Sequence, residues 1–256
     1  MNYYWRLFAT FLSFGLFGLG GIVTSLTIFP VIYILPIAKP RKIILSRRIM
    51  RFCFRGFIAF MKTIGVLSYS VHNAERLQAR QDLLIVANHP TLIDVVFLIA
   101  LAELPNCVIK RGVWNNPCMF FMVRSAGFIK NSATPEDFLH RCTETLTKGD
   151  GLIIFPEGTR TPPNGDITMH RGCAHIALNA KKNLTPVSIT CRPITLTKHH
   201  RWYNIPKTKK PHFCISVGSD IEITDFLSIK NDHNNAARQL TAHMKDKFIE
   251  GMTCQT

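Results

Sequence analysis

The hydrophobic residues of this chain fall into three textures. The first is Leu7 to Ala38, which holds no charged residue. It exceeds the roughly 20 apolar residues that carry a helix across a bilayer. Leu7 to Phe29 suffices alone, with Pro30 and Pro36 placed to end the helix. Gly15, Gly18, Gly20 and Gly21 weaken a soluble helix but are common in membrane helices. A cleaved signal peptide fits poorly. Its leading region would hold only Arg6, and no small-residue cleavage site follows. The pattern predicts a retained membrane segment that either crosses or enters and returns.

The second texture mixes cations with apolar residues. Lys39, Arg41, Lys42, Arg47, Arg48, Arg51 and Arg55 precede the first acidic residue, Glu75. Arg48, Arg51 and Arg55 recur at helical spacing, among Ile44, Leu45, Ile49, Phe52, Ile58 and Phe60. That predicts a basic amphipathic helix, lying on anionic headgroups or packed on the protein with its charge in water. Positive charge beside a membrane helix places that flank in the cytoplasm.

From about Val66 strands and helices alternate, an α/β signature. Strands are predicted at Ser68–His72, Leu83–Ala87, Asn106–Lys110, Leu152–Phe155, Pro186–Cys191 and Phe213–Val217. Asn116–Ala126 reads as a helix stopped by Gly127. Thr134-Pro135-Glu136-Asp137 reads as a helix start with Thr134 as N-cap, running to Gly149. Ala236, Leu240, Met244 and Phe248 step by four along a closing amphipathic helix. The expected fold is α/β, a mixed sheet flanked by helices and preceded by an N-terminal membrane-associated helical segment. The expected division is residues 1–64 for that segment and 65–256 for the α/β body.

A net charge of +15 calls for an anionic partner, either nucleic acid or a membrane surface with anionic substrates. Charge concentrated beside the apolar segment favours the membrane, and no nucleic acid is expected. The eight cysteines form no CxxC pair and read as reduced thiols. His170, Cys173 and His175 lack zinc spacing, so no metal is expected. His199, His200, Arg201, Lys207, Lys209 and Lys210, with Trp202 and Tyr203, read as a solvated basic loop, with contact to membrane or an acidic carrier protein as the other reading.

Two polar insertions interrupt apolar strand ends. The run Leu83–Ala87 breaks at Asn88-His89-Pro90, and Asp94 follows His89 with four residues between them. Buried polar groups need partners, and these two suit a base and its orienting carboxylate. Leu152–Phe155 ends in Pro156-Glu157-Gly158-Thr159-Arg160. Gly158 permits close backbone approach or a positive φ, and Arg160 offers a planar fork for phosphate. Glu157 would accept hydrogen bonds from a substrate hydroxyl or hold Arg160.

Together these motifs resemble the glycerolipid acyltransferase family, the 1-acyl-glycerol-3-phosphate and lysophospholipid acyltransferases. Asn88, His89 and Asp94 match its NHxxxxD motif, and Phe155 to Arg160 match FPEGTR. Arg111, Pro117 and Gly127 match its second motif in part. Phe120 replaces a usual glycine there, and Phe128 to Asn131 lacks the closing Asp-Arg. Leu184 to Ile189 matches the fourth, a strand around Pro186. The resemblance implies His89 as general base, oriented by Asp94. It implies Arg111, Glu157, Gly158, Thr159 and Arg160 at the substrate, with Lys110 and Arg171 as further cations. It implies acyl-CoA or acyl carrier protein as co-substrate, no cofactor, and a lysophospholipid acceptor, 1-acyl-sn-glycerol 3-phosphate in the simplest case. Another lipid acceptor, or a non-catalytic membrane adaptor, are the alternatives. The catalytic domain is expected on the cytoplasmic face of a membrane.

Overall fold

The computed structural model describes residues 2–78, 80–131, 134–162, 168–198, 201–229 and 232–253. Three helices come first: α1 (Tyr3–Leu26), α2 (Ile28–Ile34) and α3 (Lys39–Thr63). The alternating region gives β1 (Ser68–His72), β2 (Leu84–Ala87), α4 (Asp94–Leu101), β3 (Asn106–Ile109) and α5 (Arg111–Trp114). A 3-10 turn, Pro117–Met119, leads into α6 (Phe120–Ser125) and β4 (Ile129–Lys130). Then follow α7 (Pro135–Thr147), β5 (Leu152–Ile154), α8 (Gly172–Ala180), β6 (Leu184–Arg192), β7 (His212–Val217), α9 (Thr224–Leu227) and α10 (His233–Thr253).

The seven strands form one mixed sheet in the order β1-β7-β6-β2-β5-β3-β4. β6, β2, β5, β3 and β4 run parallel, and β7 turns antiparallel onto β6 with β1 parallel to β7. The central strands β2 and β5 are buried on both faces, which is why they are continuously apolar in sequence. In β2, Ile85 and Ala87 join the core shared with α3 and α4. Leu84 and Val86 join the core under α7, α8 and α10, where Ala236, Leu240, Met244 and Phe248 are buried as their spacing predicts. The N-terminal helices share the first core through Ala9, Phe29, Met50, Phe57 and Met61. Among the described cysteines all are free, and burial pushes the Cys107 and Cys142 thiols up to about 12. Cys254 lies outside the described residues.

Four expectations change. The first helix breaks at Thr27, and Pro30 sits in the first turn of α2 instead of ending a helix. An N–H in the first turn has no intrahelical acceptor, so proline is tolerated there. Thr134 stands at the start of α7, but its side chain makes no capping bond. The Asn116–Ala126 segment divides into the 3-10 turn and α6 before Gly127, whose φ of +64° ends the helix. The arginines of α3 grip the protein instead of headgroups. Arg51 pairs with Glu103, and Arg55 Nε donates to Ala100 O at 2.9 Å. Those acceptors lie at and just past the C-terminus of α4, where partial negative charge favours a cation. Arg47, 4% exposed, forks onto both oxygens of Asp150 at 2.6 and 2.9 Å and donates to Ala126 O and Leu104 O. Arg48, in contrast, is exposed.

The apolar stretch Tyr3–Ile34 has the length and composition of a membrane-crossing helix and is largely unburied. Phe8, Leu12, Leu19, Val23 and Leu26 of α1 are exposed, alongside Ile44 and Phe52 of α3.

Candidate active site

Parallel strands release their following loops at one end of a sheet. β2, β5 and β3 are adjacent and parallel, so residues 88–94, 155–161 and 110–116 gather at their C-terminal ends. At the end of β2 the Asn88 side chain takes over the pairing with β6. Its Nδ2 donates to Ile189 O at 2.8 Å, and its Oδ1 accepts from Ile189 N at 2.7 Å. The backbone can therefore leave the sheet without orphaning Ile189, and His89 follows at the turn.

His89 Nδ1 lies 2.9 Å from Asp94 Oδ2, whose side chain is fully buried. Asp94 opens α4, where a carboxylate meets the positive end of the helix. Its oxygens also accept from Thr91 N at 2.6 Å and from the Thr91 hydroxyl. Burial pushes its carboxyl up, against the opposing pull of His89 and Thr91. Phe155 stacks on the imidazole, with ring centroids 4.3 Å apart at 24°. The ring is held at one edge and one face, while its side chain stays 20% exposed. With Nδ1–H donating to Asp94, the neutral ring presents the Nε2 lone pair.

The second loop is bonded to the first. Glu157, 5% exposed, accepts from His89 N at 2.9 Å and from Thr161 Oγ1 at 2.8 Å, both on Oε1. Thr161 N donates to His89 O at 2.7 Å. Glu157 thus fixes the histidine's backbone, not Arg160. Burial raises its carboxyl pKa, and the bonds from Thr161 and His89 oppose that shift. Gly158 takes a φ of +63°, a conformation that favours glycine. Thr159 is half-buried beside it. Arg160 Nη1 donates to Leu196 O at 3.0 Å and Thr197 O at 2.8 Å, leaving its Nε–Nη2 edge without a partner among the described residues.

Arg111 is exposed at the start of α5, two strand spacings from β2 or roughly 10 Å across the sheet. Lys110 and Arg171 are also exposed. The sequence reading missed Thr91, Thr161 and the carbonyls of Leu196 and Thr197. The threonines stood beside the motifs, Thr91 between Pro90 and Leu92 and Thr161 directly after Arg160. The carbonyls carry no side-chain signal. Among the described residues no three His, Cys, Asp or Glu side chains group as metal ligands.

The model of the family described as Acyltransferase matches residues 68–190, spanning β1 to most of β6. That segment, just under half of the chain, is similar to the acyltransferase domain. A lyso-ornithine lipid O-acyltransferase of Pseudomonas aeruginosa is 35% identical over 116 residues. The match covers 44% of this chain and 45% of that protein. A chloroplastic 1-acyl-sn-glycerol-3-phosphate acyltransferase of Arabidopsis thaliana is 24% identical over 145 residues, covering 53% of this chain and 41% of that protein. The chain thus spans less than half the length of these relatives. Beyond the matched segment, the fold as a whole is that of the 1-acyl-sn-glycerophosphate acyltransferase PlsC from Thermotoga maritima. That structure aligns with a TM-score of 0.64 at 16% identity over 96% of this chain and 97% of its own.

Proposed function

We propose that this protein is a membrane-bound O-acyltransferase that moves a fatty acyl group from a thioester to the hydroxyl of a lysophospholipid. The observation that carries the reading is the His89–Asp94 pair, locked to the Glu157–Arg160 loop through the His89 backbone. His89 Nε2 takes the proton of the acceptor hydroxyl as its oxygen attacks the thioester carbonyl. The tetrahedral intermediate collapses with cleavage of C–S, and the imidazolium returns the proton to the thiolate. The products are an ester and a free thiol. Asp94 holds the tautomer and offsets the charge of the imidazolium, as a carboxylate does in a serine hydrolase triad. Arg160 turns its free edge to the acceptor phosphate, with Arg111 as a second cation.

The proposed acceptor is 1-acyl-sn-glycerol 3-phosphate and the donor acyl-CoA or acyl carrier protein. A lyso-ornithine lipid is the second reading, supported by the similarity to the Pseudomonas aeruginosa enzyme. Purified protein in detergent, given labelled acyl thioester and both acceptors, separates them. Full transfer by His89→Ala would sink the mechanism. Salt-sensitive DNA binding without any transfer would favour a non-catalytic adaptor instead.

Two features adapt this site to lipid. A cavity of about 430 Å³ between α1, α3 and α6 is lined by Gly18, Gly21, Phe17, Phe57, Met119 and Met122, and takes an acyl chain. The apolar helices lie in the plane of one leaflet, because both ends are held by the same body. Trp5 Nε1 donates to Ile64 O at 3.1 Å, and Tyr33 packs on Phe121 with centroids 5.7 Å apart. Crossing the bilayer would break one set of contacts. The cations of the α3 start favour the cytoplasmic leaflet.

A further inference from the structure

The connection between β6 and β7, residues 193–211, read as a solvated basic loop, but its described residues grip two distant parts of the molecule. His199 and His200 lie outside the described residues. At one end of the connection Leu196 O accepts from both Leu92 N and Arg160, and Thr197 O accepts from Arg160. At the other end Arg6 of α1, 3% exposed, donates from Nη1 to Lys209 O and from Nη2 to Lys207 O, both at 2.8 Å. Between them Trp202 packs edge-on to Phe11 at 4.7 Å and against Phe14 at 5.4 Å. Leu196, Trp202, Arg6 and Phe14 line one 20 Å³ cavity, so the two ends are packed together and not joined by the chain alone.

Two arginines, one on the lipid-facing helix and one in the site, therefore clamp carbonyls of the same strap. A buried guanidinium is costly unless its donors are matched, so the Arg6 clamp fixes both its carbonyls, while half-buried Arg160 is oriented by the two carbonyls its Nη1 meets. Among the described residues only Nη1 of Arg160 is held, and the plane of its other edge follows the two carbonyls.

We propose that Arg6 and Trp202 are positioning residues for Arg160: through the strap they set the direction in which its free edge meets the acceptor anion. This rests on the reading of Arg160 as the acceptor's phosphate ligand. Neither residue touches substrate, and their effect falls on acceptor binding.

A double-mutant cycle in the full-length protein tests this, with acceptor KM, donor KM, kcat and thermal melting read for each variant. Arg6→Ala raises acceptor KM about tenfold, with kcat and donor KM within about twofold. In an Arg160→Ala background the same substitution changes acceptor KM by less than about twofold. Trp202→Ala follows Arg6→Ala, and Trp202→Phe restores the parent value because an aromatic ring still meets Phe11 and Phe14. If Arg6→Ala does not fold, Arg6→Lys and Trp202→Ala complete the cycle. Equal effects in both backgrounds, or a loss confined to kcat and melting temperature, overturn the proposal and leave the role of Arg160 standing. An acceptor KM untouched by Arg160→Ala itself overturns that role, and this proposal with it.

Discussion

His89 and Asp94 test the chemistry at the scale of single residues. His89→Ala removes the proposed base, so transfer falls by roughly 10³-fold or more, while the loss of a partner for buried Asp94 lowers the melting temperature without unfolding the protein. Asp94→Asn loses the carboxylate that fixes the tautomer, and turnover drops by about 10³ to 10⁴-fold, as for a triad aspartate. A variant of either residue with parent-level turnover would end the proposed mechanism. Glu157 gives a pH signature. Its folded-state pKa is raised by burial above the unfolded value, so folding takes up a proton between the two. Its contribution to stability is full below the ordinary carboxylate pKa and is lost as pH rises through the raised one. Glu157→Gln keeps an oxygen to accept from His89 N and Thr161 but removes the charge. The stability of this variant relative to the parent therefore rises from pH 4 to pH 7, measured as a difference in urea midpoints. A gap that shrinks over that range would reject the assignment. The histidine, the carboxylate and the second loop were legible because polar residues at apolar strand ends stand out. The bond from His89 N to Glu157 was not, because it joins residues 68 positions apart along the chain.

Among the elements, α3 departs furthest from its reading. Its periodic arginines predict a headgroup-binding face equally with a packed one. The structure turns Arg47, Arg51 and Arg55 onto Asp150, Glu103 and the end of α4, and leaves Arg48 outside. Arg47→Ala breaks a largely buried bidentate pair and costs about 3 kcal/mol in denaturant unfolding, whereas Arg48→Ala costs under about 0.5 kcal/mol. The glycines of α1 also acquire a role from packing. Gly18 faces open space in the cavity. Gly18→Leu adds four side-chain carbons there, and preference shifts to acyl chains shorter by about four methylenes, read by competition between thioesters. Unchanged chain-length preference would remove the cavity from the acyl path.

The whole molecule ties the sheet to its exposed apolar helices. With both ends of the apolar pair held to the body, cysteines placed at Asn2 and at Ile34 are reached by an impermeant thiol reagent from the same side of sealed vesicles. Labelling of one only from outside and the other only from inside would show a crossing. By itself the sequence determined the α/β class, the closing helix, the apolar segment and the two motifs. Each is written in local periodicity or in polar residues set among apolar ones. Tertiary structure decided the break at Thr27, the direction of the α3 arginines, the backbone anchor at Glu157 and the strap that joins Arg6 to Arg160. The physical reason is common to all four. They depend on which carbonyl, carboxylate or core surface a distant segment delivers, and a backbone carbonyl is identical in every residue until folding places it.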